Sequence, residues 1–327
     1  GLGQVNIFSS VIFSGMSGAA VADAAGLGVI EMKAMDDAGY NHRFSAGITA
    51  ASSTIGPVIP PSIPFVVYSS CTGVSVAQLF AAGFLPGFLM AISMAVVVYI
   101  ISKRDKFPVS ENMPWKLRWK YFVEAIPSLM TVVIIIGGIW GGLFTATEAA
   151  IVASFYALFL SSVIYKAIDL HGVFQIIYDS LIIIAIANFL AYFMIHQRIP
   201  NQVIIGLASI TEDPTALILI IIFILFILGM FLEGTSVILI ATPIFMPIVK
   251  AIGMSPVQFG VIMILASMIG LLTPPVGMSL YAVSSITNVS LIDLSKEVIP
   301  YVIGIFVVLL LCAFWPPLSL WVPAMIG

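Results

Sequence analysis

Long apolar runs alternate with short polar segments along this chain; residues 182–194 and 217–232, for example, carry no charged side chain. A helix needs roughly 20 predominantly apolar residues to cross the hydrocarbon core of a bilayer. The pattern predicts an all-α polytopic membrane protein with crossings at 79–102, 121–143, 148–165, 180–198 and 296–316. Two further regions, 1–72 and 214–287, are apolar but interrupted by glycine and proline, and call for a different architecture.

Both interruptions follow one order. The first region reads Phe13-Ser14-Gly15-Met16-Ser17 and the second Leu232-Glu233-Gly234-Thr235-Ser236. Each is followed by a tandem-proline segment, Gly56-Pro57-Val58-Ile59-Pro60-Pro61 after the first and Leu272-Thr273-Pro274-Pro275-Val276-Gly277 after the second. The separations are similar, 45 residues from Gly15 to Pro60 and 40 from Gly234 to Pro274. Proline removes a helix hydrogen bond and clashes with the preceding turn, so each segment is expected to unwind a helix. Unwound backbone at membrane depth is tolerated only where it is buried or lines a cavity. Small residues at 14–15 and 234–235 suit a sharp reversal between half-length helices. The expectation is two re-entrant hairpins, 1–33 and 214–253, each followed by a broken helix, 44–72 and 256–287.

Charge placement sets the sidedness. Six of the twelve Lys and Arg residues crowd into 103–120, which the positive-inside rule makes a cytoplasmic loop. Counting crossings from it puts the charged segment 31–43 and Lys166 inside, an amphipathic stretch 169–179 at the inner surface, and the loop holding Glu212 and Asp213 outside. Ten of the twelve cations then lie inside, with Arg198 and Lys250 outside. Under this count the first hairpin enters from the cytoplasm and the second from the opposite side. The domain reading is a first inverted repeat at 1–102, the basic loop at 103–120, scaffold helices at 121–198 and a second inverted repeat at 199–327. Substrates and ions bind at the midplane of such inverted repeats.

Composition narrows the function classes. Hydrophobic residues make up 61% and charged residues only 8%, against about 25% charged in soluble domains. The net charge of −3 and the lack of a basic stripe exclude nucleic acid as a partner and leave membrane lipid as the surrounding medium. Cys71 and Cys312 sit in apolar surroundings and read as packing residues. His42, His171 and His196 lack ligand spacing, so no transition-metal site is expected; no hydrolase motif is present, and the chain does not read as an enzyme. The chain begins at Gly1, and further segments N-terminal to it are expected.

A desolvated Na⁺ needs several oxygen ligands, which unwound carbonyls and small hydroxyls supply. Ser14, Gly15, Ser17, Gly56 and Pro57 are candidates for one sodium cage, and Gly234, Thr235, Ser236, Leu272, Thr273 and Gly277 for its counterpart. Helices starting near Gly18 and Val237 would present N–H groups to an anionic substrate. Ser17, Ala19, Ser62, Glu233, Pro275 and Met278 are the candidate substrate-binding positions. Glu233 stands at the second hairpin tip after sixteen uncharged residues, and an ionisable group at that depth is a functional candidate; the plain alternative is a protonated acid hydrogen-bonded to the hairpin. Glu148 reads instead as a first-turn acid beside a Thr145 or Thr147 cap. Asp23 reads as a group that satisfies hairpin backbone or a neighbouring helix.

Four segments together resemble the large permease subunit of TRAP transporters. They are Phe13-Ser-Gly-Met-Ser-Gly-Ala-Ala-Val-Ala-Asp23, Ile55-Gly-Pro-Val-Ile-Pro-Pro-Ser-Ile63, Leu143-Phe-Thr-Ala-Thr-Glu-Ala-Ala150 and Ile269-Gly-Leu-Leu-Thr-Pro-Pro-Val-Gly277. The resemblance implies sodium-driven uptake of organic acids across the bacterial inner membrane. It also implies a periplasmic substrate-binding protein, a small four-helix membrane subunit, and an elevator-type transport domain sliding against a scaffold that is only partly present in this chain. Sialic-acid-specific relatives are similar but carry serine in place of Ala19 and aspartate in place of Glu233, which favours a smaller carboxylate or a zwitterion as substrate. Competing readings are a divalent-anion/sodium symporter that needs no binding protein, an ion channel, and a structural membrane subunit.

Overall fold

The computed structural model describes residues 1–105, 107, 114–166, 168–169, 171–175, 177–178, 193, 196–197, 202, 206, 211 and 213–326. Among the described residues all regular structure is helical, and five helices are long and apolar enough to cross a membrane. The crossing expected at 180–198 lies almost wholly outside the described residues. The chain divides into two compact units, one made of 1–110 with 200–327 and the other of 111–199.

In the first unit one order of elements occurs twice. Helix α1 (Leu2–Ser17) turns at Gly18 into the short α2 (Ala20–Ala25) and α3 (Leu27–Asp37). A helix broken in the middle follows, α4 (His42–Ser53) and α5 (Ile63–Thr72), and then the long α6 (Val76–Asp105). In the smaller unit, α7 (Trp115–Val132) continues through a π-helical stretch, Val133–Gly137, and is followed by α8 (Ala146–Phe159). The order of hairpin, broken helix and long helix then returns in the first unit as α9 (Pro214–Phe231) and α10 (Gly234–Ala251), α11 (Pro256–Leu271) and α12 (Met278–Thr287), and α13 (Leu291–Phe314). A last helix, α14 (Pro317–Ile326), packs against α6.

Three local boundaries differ from the sequence reading. The first tip lies at Gly18 and Ala19 rather than at Ser14 and Gly15, which belong to the last turns of α1. Gly18 adopts the left-handed conformation, φ 61°, that ends a helix at little cost only for glycine. The return arm extends to Asp37 and is interrupted at Gly26, so the polar segment expected over 31–43 contracts to a connection at 38–41. The basic segment 103–120 is helical at both ends: Lys103 and Arg104 close α6, and Lys116, Arg118 and Lys120 open α7.

The first halves of the two broken helices form the core. Every residue of α4 from Phe44 to Ser53 and every residue of α11 from Gln258 to Leu271 is buried. Surrounding helices turn large apolar side chains outward, among them Phe8, Ile30, Phe223 and Ile303, as lipid-facing surfaces require. Small residues set the close approaches. At Gly47 of α4 a Cβ would come within 2.7 Å of Glu297 Cβ on α13, and at Gly229 of α9 within 2.9 Å of the Ser267 carbonyl on α11. The halves interlock: α5 packs against α10 and α12 against α2. Tyr68 of α5 donates to the Pro256 carbonyl at the start of α11 (2.6 Å). At the other end, His42 opening α4 bonds the Thr287 carbonyl closing α12 (3.0 Å).

In the smaller unit, Tyr156 of α8 donates to the Pro127 carbonyl of α7 (2.8 Å). The start of α8 is a reciprocal cap. The Thr145 side chain accepts from the Glu148 N–H, and Glu148 accepts from the Thr145 N–H (2.8 Å) and hydroxyl (2.9 Å). Glu148 thus has the capping role read from the sequence. Both cysteines are free thiols, Cys312 buried and Cys71 exposed.

Candidate functional site

Each tip meets one break. At the first, a Cβ on Gly18 would lie 3.0 Å from the Ile63 N and 3.1 Å from the Pro61 carbonyl, so only glycine lets the tip touch the unwound segment. That segment, 54–62, is buried but for the partly exposed Pro61, and contains the cis bond Pro60-Pro61. Ser62 organises it from both directions. Its hydroxyl donates to the Pro57 carbonyl (2.5 Å) and accepts from the Phe65 N–H (3.3 Å), which caps α5.

Asp23 joins tip to break. Its side chain is 2% exposed. One carboxylate oxygen accepts the Ser17 hydroxyl; the other has no hydrogen-bond partner among the described residues and fills the space over Gly56 that a side chain would occupy. Ser17 also approaches the Ala19 N–H, at 3.4 Å. The Ser14 hydroxyl, fully buried, donates back to the Val11 carbonyl (2.5 Å). Ser17, Asp23, Gly56 and the turn Pro61-Ser62 therefore form one cluster, with Ser14 and Gly15 in the helix that leads into it.

Asp23 differs from the role expected of it, since one of its oxygens meets no hydrogen-bond partner among the described residues. The signal was present: it is the sole charged side chain among residues 1–30. An acid in that position, six residues after Ser17 in a run of small residues, is exposed to the same cost argument that singled out Glu233.

The second cluster is built differently. Glu233 is the N-cap of α10, accepting from the Thr235 N–H (2.8 Å) and hydroxyl (3.2 Å), so both its oxygens are engaged by its own helix start. Gly234 packs on α11, where a Cβ would lie 2.9 Å from the Met268 methyl. The second break, with its cis bond Pro274-Pro275, is more open: Leu272 is buried, Thr273 partly exposed, and Pro274, Pro275 and Val276 exposed. The Thr273 hydroxyl donates to the Ile269 carbonyl (2.8 Å). Gly277, at φ 56°, donates its N–H to the Met230 carbonyl (3.1 Å) and thereby ties the break to the outer arm of its hairpin. Met278 then opens α12, whose N-terminus has no side-chain cap. Ser236 lies partly exposed in the first turn of α10.

Comparison with known proteins follows the same elements. The family model described as "Tripartite ATP-independent periplasmic transporter, DctM component" matches residues 1–318. The sialic acid TRAP transporter large permease protein SiaM of Vibrio cholerae is 40% identical over 98% of this chain and 77% of its own length. The sialic acid TRAP transporter permease protein SiaT of Haemophilus influenzae is 36% identical over 99% of this chain and 54% of its own length. The C4-dicarboxylate TRAP transporter large permease protein DctM of Pseudomonas aeruginosa is 33% identical over 100% of this chain and 78% of its own length. This chain thus spans about three quarters of two of these relatives and about half of the third. They are transporters rather than enzymes, and with five apolar helices the chain is a multi-pass protein of the bacterial inner membrane. It belongs to the large permease, or DctM, family of tripartite ATP-independent periplasmic transporters.

Proposed function

We propose that the chain is the transport component of a sodium-coupled secondary carrier that takes up a small organic acid or zwitterion. The substrate is delivered by a periplasmic binding protein, and the carrier works beside a small four-helix membrane subunit. The two runs of hairpin, broken helix and long helix are read as inverted repeats. They move together as an elevator carrying the two clusters across the membrane.

The observation that supports this reading best is the open carboxylate oxygen of Asp23. A buried charge without a partner is costly, and a desolvated cation beside it offsets that cost. Sodium fits a donor set of one carboxylate and the Ser17 hydroxyl, completed by carbonyls of the unwound segment at Gly56 and Pro57, the latter already accepting from Ser62. The second cation, held by Ser236, Thr273 and carbonyls around Leu272 and Gly277, has no such acid. The substrate lies on the second cluster. Its carboxylate faces the uncapped start of α12 between Pro275 and Met278, where N–H groups and the helix dipole favour an anion. Its hydroxyl or amine faces Glu233, three residues beyond the Met230 carbonyl that Gly277 binds. The relatives' names include sialic acid and C4-dicarboxylates, both organic acids.

Uptake into proteoliposomes, with and without a sodium gradient and with a candidate binding protein, tests the function. Substrate accumulation that needs both is expected, and equal accumulation without sodium refutes the coupling. Cysteines placed at Asp37 and at Gly253 test the inverted arrangement. An impermeant thiol reagent should label them from opposite faces of the membrane, and labelling from one face refutes it.

A further inference from the structure

The outer arms of the two hairpins are seated differently. In the first half α1 packs directly on the long helix α6. At Gly3 a Cβ would lie 2.9 Å from Val98, and the Gln4 amide donates to the Ala95 carbonyl at 2.8 Å. In the second half α9 is drawn onto α11 at Gly229 and Gly270, where the backbones nearly touch. Between α9 and the long helix α13 a groove of about 620 Å³ remains. Its walls include Leu219 and Phe226 of α9 and Val302 and Phe306 of α13, and it runs to Thr273 and Pro274 of the second break.

Water is a poor occupant for so apolar a space, because it needs two to four polar partners. Both walls belong to helices long and apolar enough to cross the membrane. On the rims, Phe223 is 59% and Ile303 59% exposed, so the groove is continuous with the lipid-facing surface. Ser295 lines the groove, and the residue after it, Lys296, is exposed and supplies a cation within the same helix turn for a lipid phosphate.

We propose that this groove is a phospholipid site, with one acyl chain lying between α9 and α13 and its tail against Thr273-Pro274. The bound chain fills in the second half the gap that direct packing closes in the first. It becomes part of the seat of the second hairpin.

The test uses protein purified from membranes in mild detergent and stripped of loosely held lipid, with retained phospholipid read by native mass spectrometry. Wild type should keep a phospholipid that Val302→Phe and Leu219→Phe, each projecting a ring into the groove, no longer hold. Photo-activated benzoylphenylalanine at position 302 should add the mass of a phospholipid. Three results would overturn the proposal: wild type that retains no phospholipid, correctly assembled filled variants that retain as much as wild type, or a photoproduct joined to a polypeptide, which would make the occupant a helix of another chain.

Discussion

The buried halves of the two broken helices do the same structural work with opposite chemistry. In the first half α4 is polar along its length. Thr49 accepts from Asn6 of α1 (2.9 Å), Ser52 donates to the same Asn6 (2.7 Å), and over the break beyond lies Asp23 of α2, with an oxygen that has no partner among the described residues. In the second half α11 is apolar but for Gln258 and Ser267, and its hairpin is held by close glycine contact. The acid there is turned onto its own helix start. Hydrogen bonds fix one geometry, whereas apolar contact permits sliding. Under the proposed function, this difference fits a firm, charge-bearing ion cage in the first half and a more adaptable substrate face, with its second cation, in the other half.

The largest effect is expected at the open carboxylate. A charge-assisted contact is worth about 1.5–3 kcal/mol, and about 1.4 kcal/mol is tenfold. Asp23→Asn should therefore raise the sodium concentration for half-maximal uptake by roughly tenfold to a hundredfold. Ser17→Ala should raise it less, and Ser236→Ala should act on the second ion. Sodium titrations of uptake at matched protein levels check this, and an Asp23→Asn curve that overlays wild type removes Asp23 from the site.

Next in size is the substrate face. Glu233→Gln should change the ranking of carboxylates and amino-carboxylates in a competition series by about tenfold for the favoured ligand, while assembly persists. Glu233→Asp withdraws the carboxylate by one methylene and should shift preference toward bulkier ligands. Identical profiles in all three proteins would leave Glu233 as the cap of α10 alone.

Stability should separate the halves more modestly. Gly270→Ala pushes a methyl into the Gly229 backbone, and such overpacking costs about 1–3 kcal/mol. Asn6→Ala removes interhelical hydrogen bonds that in membranes average about 0.6 kcal/mol each. Thermal unfolding in detergent should rank Gly270→Ala below Asn6→Ala, and the reverse order would mean that the polar lock is the stronger seat.

The smallest effect concerns His42, outside the spanning segments. The Thr287 carbonyl it binds, and secondarily Asp36 at 2.8 Å, hold its pKa above 6.5. A raised pKa stabilises the protonated, folded form. That contribution is complete below pH 6.5 and is lost as pH rises through the higher folded value. The ring is about half exposed, so the change is slight. His42→Gln should flatten the fall in melting temperature on the alkaline side, and an unchanged pH profile would show that the link carries no stability.

The helix breaks were legible because tandem proline leaves the backbone no alternative, and the cap at Glu148 because threonine and glutamate three apart form a reciprocal pair. The first tip lies at Gly18-Ala19 rather than Ser14-Gly15 because the sequence offers small residues at both places, and only the tertiary seat of Gly18 against Pro61 and Ile63 chooses between them. The surroundings of the Asp23 carboxylate leave no local pattern, because the space its second oxygen fills is defined by Gly56, 33 residues away. The groove between α9 and α13 was invisible, since it arises from how α9 divides its contacts between two helices and leaves no periodicity in the sequence.

The most direct test is to follow radiolabelled sodium and labelled substrate in the same proteoliposomes, for wild type, Asp23→Asn and Glu233→Gln. Wild type should take up each only in the presence of the other. Asp23→Asn should lose both at sodium concentrations that saturate wild type, while Glu233→Gln should keep sodium entry with a changed choice of substrate. Substrate accumulation without sodium entry, or an Asp23→Asn protein that couples the two as wild type does, would contradict the assignment of the ion cage to the first half.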